Sequence, residues 1–179
     1  MLSGCTGKEK SLATDEAFKS LKKEPYKQIT EEIIASLKDD DLEQSIFDNI
    51  ALGMKSDPRQ EKEKVKSLTA GQRAIYVTWV VEAEVNDKGF TRFYATSSDV
   101  ADVAEEAFKT IGANGFADVM TNANLMYSKL KDSPKSSDAN PYINLDEQFY
   151  KLYETESLDQ LKVKYIRANP GEFVAKANQ

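Results

Sequence analysis

Residues 68–113, LTAGQRAIYVTWVVEAEVNDKGFTRFYATSSDVADVAEEAFKTIGA, decide the fold of this chain. Thr69 and Gln72 predict a capping box at a helix start, since each side chain can satisfy the other residue's backbone amide. The apolar residues that follow repeat at helical spacing, so Trp79 is expected in the centre of the core. Gly89 predicts the end of this helix, because glycine takes a positive φ at little cost. A second amphipathic helix follows within the same segment.

The composition favours helices throughout the chain. Of its 179 residues, 40% are hydrophobic and 30% charged, which is typical of a globular protein. Only 8 glycines and 5 prolines are present, too few for the frequent tight turns of an all-β sandwich. We therefore predict an all-α fold with a single multi-helix domain over residues 66–179. An N-terminal helical segment over 14–65 would precede it, after a disordered start or tether over 1–13.

Charge and residue usage exclude several classes of function. The net charge of −6 disfavours direct nucleic-acid binding, which needs a clustered positive surface. Histidine is absent and there is one cysteine, so the commonest general base and metal ligand are missing. Residues 39–41 with Glu43 are acidic but lack the alternating ligands and central glycine of a calcium loop. We expect no enzyme activity, no catalytic residues, no cofactor and no metal site.

The N-terminus leaves the cellular location open. Leu2-Ser3-Gly4-Cys5 resembles the lipobox of bacterial lipoproteins, in which the cysteine carries the lipid. No run of 18 apolar residues encodes a transmembrane helix, so a lipid on Cys5 is the only membrane attachment predicted. Only Met1 precedes the motif, where a signal peptide has charged and apolar regions. The chain is thus either an envelope lipoprotein or a cytoplasmic protein with an inert thiol.

Several landmarks follow one another in an order that suggests a family. They are Leu68-Thr69, Gln72, Tyr76, Glu84-Val85-Asn86, Gly89-Phe90, Phe93-Tyr94, Ser97-Ser98, Ile111-Gly112-Ala113, Leu145-Asp146, Phe149-Tyr150, Tyr165-Ile166 and Phe173. This set, spanning residues 66–174, resembles a bacterial family of unknown function that is named after a small acidic DNA-mimic protein. The resemblance implies an all-helical fold. The namesake acts as a dimer that occupies the DNA-binding surface of a repressor.

The chain departs from the family pattern around the central turn. Asp87-Lys88-Gly89 stands where the family usually has Asn-Gly-Gly, and Arg92 and Thr96 replace a usual Gln and Asn. If the polar residues of the family form a binding site, these exchanges change its chemistry.

One helix carries a candidate interaction surface, here called the acidic face. It consists of Asp99, Asp102, Glu105 and Glu106. Asp102 and Glu106 are about 6 Å apart along the helix axis at a rise of ~1.5 Å per residue, close to a phosphate spacing. The sharper interpretation is mimicry of DNA toward an unknown basic protein partner. The ordinary one is the solvated side of an amphipathic helix.

A second candidate, the polar turn cluster, surrounds the predicted helix end. It consists of Glu84, Asn86, Asp87 and Arg92. These residues predict either a pocket for a small ligand or substrate, or an ion-pair network that fixes the turn. Three functions therefore stay open: a non-enzymatic interaction module, an envelope lipoprotein of structural or stress-related role, and an enzyme or ligand binder at the turn. A homodimer is compatible with each.

Overall fold

The computed structural model describes residues 26–54, 61–131 and 140–174. The predicted start over 1–13, with Cys5, lies outside these residues. So does the first part of the predicted N-terminal helical segment.

The described residues form eight α-helices and no strand, which confirms the all-α prediction. The helices are α1 (Glu31–Ser36), α2 (Asp39–Met54), α3 (Glu61–Ser67), α4 (Ala70–Thr96), α5 (Ala101–Thr110), α6 (Asn114–Leu130), α7 (Ile143–Leu152) and α8 (Leu158–Ala168). Two 3-10 turns, Ser98–Val100 and Pro170–Glu172, follow α4 and α8. No described helix has the length and apolar character that a membrane crossing requires.

The start of α4 is fixed as the sequence predicts. The Thr69 hydroxyl accepts the Gln72 N–H at 3.1 Å, and the Gln72 side chain accepts the Thr69 N–H at 3.2 Å. This reciprocal pair is the predicted capping box. The register of the longest helix is therefore set by local sequence.

The predicted break near Gly89 is confirmed, but the helix resumes at once. Lys88 has φ −148° and Gly89 has φ 71°, and neither is helical. From Phe90 the helix continues to Thr96 in a new direction, so α4 consists of two pieces, 70–87 and 90–96. The side chain that satisfies the first amide of the second piece comes from α7.

Carboxylates from distant parts of the chain cap three helical pieces. Each accepts a backbone N–H of the first turn, where the helix leaves amides without an intrahelical partner. The pairs are Gly71 N with Glu172 Oε2 at 2.5 Å, Phe90 N with Asp146 Oδ1 at 2.7 Å, and Gly115 N with Glu156 Oε1 at 3.0 Å. The C-terminal part of the chain therefore adds caps to both pieces of α4 and to α6.

Helix α4 lies at the centre of the molecule and packs against α2, α5, α7 and α8. One hydrophobic core includes residues of the N-terminal helices, such as Ile46 and Phe47, together with Tyr76 and Phe108. The expectation for Trp79 was wrong in degree, because its indole is only half-buried. It stacks on Phe47, with ring centroids 3.8 Å apart, and its remaining surface borders a groove.

Candidate functional site

The acidic face lies on the 3-10 turn after α4 and on α5. Asp99, Asp102 and Glu106 are exposed, and Glu105 is half-buried. Asp102 forms an ion pair with Lys62 at 2.9 Å, and Glu105 forms one with Lys109 at 2.6 Å. Asp102 and Glu105 therefore each have a lysine partner within the chain. This pairing reduces the attraction that the face exerts on a basic partner.

The structure brings three members of the polar turn cluster together and separates the fourth. Glu84 is 3% exposed and accepts a hydrogen bond from Arg92 Nε at 2.9 Å, across the break in α4. Asp87 lies 3.7 Å from the same nitrogen. Asn86 instead donates to the Tyr153 hydroxyl at 3.1 Å. This arrangement is that of an ion-pair network that holds the two pieces of α4 at their angle.

A charged groove, which the sequence did not reveal, lies between α2, α4 and α8. Its volume of about 790 Å³ is in the range of cavities that hold small ligands. Within the described part of the chain, five carboxylates border it: Asp39, Asp40, Glu43, Glu82 and Asp159. The basic residues on its border are Lys164 and Arg167. Negative charge therefore dominates the groove.

Lys162 lies beneath this groove, and its ion pairs with carboxylates that border the groove are here called the base of the groove. Its side chain is 1% exposed, and its ammonium lies 2.6 Å from Glu43 Oε1 and 2.7 Å from Glu82 Oε2. Asp159 lies farther away, at 4.0 Å. A buried ammonium needs such partners, because burial without them strongly disfavours the charge. Helices α2, α4 and α8 are thus joined by one cation.

The electrostatics of this base favour an ionised lysine. Burial by itself lowers the pKa of the Lys162 ammonium, but the charges of Glu82 and Glu43 outweigh it, so the pKa lies above its ordinary value. Burial also raises the pKa of the Glu43 carboxyl, against the opposing effect of Lys162. The Tyr153 hydroxyl donates to Glu82 Oε1 at 2.8 Å, so each oxygen of this carboxylate accepts a hydrogen bond.

The base of the groove already contains its own cation. Carboxylate oxygens of Glu43, Glu82 and Asp159 lie within 4.8 Å of one another, a spacing that could surround a metal ion. The Lys162 ammonium contacts two of these three residues directly. The cluster is therefore a lysine-centred ion-pair network.

Arg167 borders the groove and binds both the end of α1 and the start of α2. Its Nη2 donates to Asp39 Oδ1 at 2.7 Å and to the Leu37 carbonyl at 2.6 Å, and its Nη1 donates to the Ile34 carbonyl. This guanidinium therefore satisfies carbonyls left at the end of α1 and the first carboxylate of α2.

Sequence reasoning missed this site because its members are far apart in the chain. Glu43, Glu82 and Lys162 each resemble an ordinary solvated side chain of an amphipathic helix. The acidic run that contains Asp39, Asp40 and Glu43 lacks the pattern of a calcium loop and gives no other local sign of a groove. The one available signal was the i, i+3, i+4 spacing of Trp79, Glu82 and Ala83, which places an indole beside a carboxylate on one face of α4.

The fold and the site together define an all-helical protein whose central broken helix supports an acidic groove. A family model described as DMP19-like protein matches residues 66–169, and the chain belongs to this family. The resemblance noted in the sequence is thereby confirmed. No curated protein and no solved structure matches the chain. The matched segment includes α4 and α8, while α2, which supplies three of the groove carboxylates, precedes it.

Proposed function

We propose that this DMP19-like protein is a non-enzymatic binding module that takes a basic protein partner in the charged groove. The observation that carries the proposal is the charge of the groove. Among the described residues, five carboxylates border it, against Lys164 and Arg167 on the border and Lys162 beneath it, which leaves an excess of two negative charges. A concave surface of one dominant sign concentrates field lines and attracts partners of the opposite sign.

Residue usage supports a binding role over catalysis. The chain has no histidine, and its single cysteine lies outside the described residues. Glu84, the carboxylate best placed for chemistry at the turn, is engaged by Arg92. A general base must be free to approach a substrate proton, and Glu84 is not placed to do so.

The groove is a better candidate than the acidic face. Both surfaces contain carboxylates that cations of the chain already engage: Asp102 and Glu105 on the acidic face, and Asp39, Glu43 and Glu82 in the groove. The groove adds concavity and an indole to its carboxylates, and aromatic residues are enriched where protein interfaces bind most strongly. A DNA-mimic role would depend on the acidic face and would not require the groove.

The test is a binding titration with charged peptides. A dye-labelled peptide of alternating lysine and glycine is titrated with the full chain, and fluorescence anisotropy gives Kd. Raising the salt from about 0.05 to about 0.3 M should weaken binding roughly tenfold, because screening shortens the Debye length. A peptide with glutamate in place of lysine should not bind.

Two charge-reversal variants locate the surface. Asp40→Lys with Asp159→Lys should abolish binding, while the matched pair Asp99→Lys with Glu106→Lys should leave Kd within about twofold. Both pairs change the net charge equally and replace exposed residues. Loss of binding only in the second pair would move the function to the acidic face. If neither this peptide nor an arginine peptide of equal charge binds, the basic-partner proposal is refuted.

A further inference from the structure

We infer that the groove recognises an arginine of its partner, with the guanidinium laid against Trp79 and paired with the carboxylates of Asp159 and Asp40. This inference rests on the proposed function and adds the identity of the recognised side chain. None of these three residues belongs to the acidic face or to the polar turn cluster.

The indole offers a fixed surface for a planar cation. Phe47 is 1% exposed and covers one face of Trp79, with an angle of 19° between the rings. The half-buried indole therefore meets the groove with its other face or its edge. Ala83 and Val163 border the groove beside it, and their small side chains leave room next to the ring. Because Trp79 is already packed against Phe47, it loses little side-chain entropy when a ligand binds.

The groove carboxylates that can still bind a ligand are the ones exposed to solvent. Glu43 and Glu82 are engaged by Lys162, and Asp39 is engaged by Arg167. Asp159 is different, because its carboxylate is 82% exposed and lies 4.0 Å from the Lys162 ammonium, farther than Glu43 and Glu82 do. Asp40 is also exposed and borders the same space. A partner cation would thus meet two exposed aspartates, while Glu43 and Glu82 remain engaged by Lys162.

The chemistry of this space favours arginine over lysine. A guanidinium is planar, is weakly hydrated and stacks on aromatic rings while its edge donates to carboxylates. A compact ammonium matches the site that Lys162 already fills. Arg167 shows that this wall of the groove accommodates a guanidinium, since it binds Asp39 and the Leu37 carbonyl at 2.7 and 2.6 Å.

The experiment compares two peptides of equal charge. One alternates arginine with glycine and the other alternates lysine with glycine, and neither contains an aromatic residue. Calorimetry gives Kd for each peptide, and intrinsic fluorescence reports the indole directly because Trp79 is the only tryptophan of the chain. We expect the arginine peptide to bind about three- to fivefold more tightly, since stacking of a cation on an exposed indole has this magnitude. It should also change the fluorescence of Trp79 at saturation.

Variants separate recognition from general attraction. Trp79→Leu should bring the two peptides to equal affinity while both still bind. Asp40→Asn with Asp159→Asn should weaken the arginine peptide at least about fivefold, whereas the control Asp99→Asn with Glu106→Asn should leave it unchanged. Far-UV circular dichroism and urea midpoints verify that each variant is folded.

The outcomes distinguish the inference from the proposed function. Equal affinity of the unmodified protein for both peptides, or unchanged Trp79 fluorescence at saturation, overturns the arginine inference and leaves a basic-partner module in place. Preference for arginine that survives Trp79→Leu overturns the role of the indole. If neither peptide binds, the proposed function and the inference fail together.

Discussion

The carboxylate of Asp146 packs directly against Gly89, in space that a side chain on residue 89 would occupy. Asp146 Oδ1 accepts the N–H of Phe90 at 2.7 Å, and its Oδ2 accepts from Asn140 Nδ2 at 2.8 Å. A Cβ at position 89 would lie 2.5 Å from Asp146 Oδ2. Gly89 therefore permits both the backbone turn within α4 and the approach of the carboxylate that caps its second piece.

The first prediction is that Gly89→Ala strongly destabilises the protein. The backbone of Gly89, with φ 71° and ψ −173°, lies in a region that only glycine adopts readily. Together with the collision against Asp146, we expect a loss of about 3 kcal/mol in the free energy of unfolding. Urea denaturation followed by far-UV circular dichroism measures it.

Gly112 supplies the matched control for this prediction. It also has a positive φ, 84°, but nothing lies within 4 Å of its missing Cβ. Gly112→Ala should therefore cost only the backbone strain, about 1 kcal/mol. Equal losses at the two positions would show that the contact with Asp146 contributes nothing.

The second prediction concerns the buried ion-pair network. Lys162→Met leaves Glu43 and Glu82 facing each other without a cation, so the free energy of unfolding should fall by about 3 kcal/mol. Replacing both glutamates by glutamine in the same chain should recover most of this loss, because two neutral amides tolerate an apolar neighbour. Urea midpoints of the single and triple variants measure the difference.

Lys164→Met controls for loss of a lysine from the same helix. Lys164 is exposed, so its replacement should change stability by less than about 0.5 kcal/mol. If Lys162→Met were equally mild, the network would have no structural role.

Local signals in the sequence were sufficient to predict the fold class and the start and break of α4. The capping box at Thr69, the break at Gly89 and the amphipathic helix that follows are each predicted from residues within about one or two turns of one another. Such patterns report directly on backbone geometry and on the face of a helix that meets the core. The all-α fold and the start of α4 followed from them.

The groove depends on long-range contacts, which periodicity does not encode. Glu43 and Lys162 are 119 residues apart in sequence yet 2.6 Å apart in space. The half-buried state of Trp79 has the same origin, because it depends on where α2 and α8 pack against α4. The carboxylate caps from Asp146 and Glu172 could not be predicted either, because no local sequence pattern shows which distant amide an acidic residue will bind.

The third prediction concerns alkaline pH. Burial, with a smaller contribution from Tyr127, raises the pKa of the Tyr142 hydroxyl from 10.0 to about 12. The folded state therefore holds this proton more tightly than the unfolded state. The resulting stabilisation is complete below pH 10.0 and is lost as the pH rises through about 12.

Urea denaturation at about pH 9 and about pH 11.5 tests this linkage. The free energy of unfolding should fall between the two values, and the fall should be smaller in Tyr142→Phe. Phenylalanine keeps the ring contacts with Phe90 and Tyr94, so the variant should remain folded. An identical pH dependence in both proteins would contradict the assignment to Tyr142.

The last prediction is that Glu172 stabilises α4 from beyond the segment matched by the family model, which ends at residue 169. Glu172 Oε2 accepts the Gly71 N–H at 2.5 Å, and Oε1 accepts from the Tyr165 hydroxyl at 2.9 Å. Glu172→Ala should lower the free energy of unfolding by about 1 to 2 kcal/mol, as loss of a helix cap does. Glu172→Gln keeps an acceptor oxygen for the Gly71 N–H and loses only the negative charge near the positive end of the helix. The free energy of unfolding should therefore fall less than in Glu172→Ala. Hydrogen exchange locates the effect: the amides of the first turn of α4 should lose protection in Glu172→Ala, while those of α6, capped by Glu156, keep it.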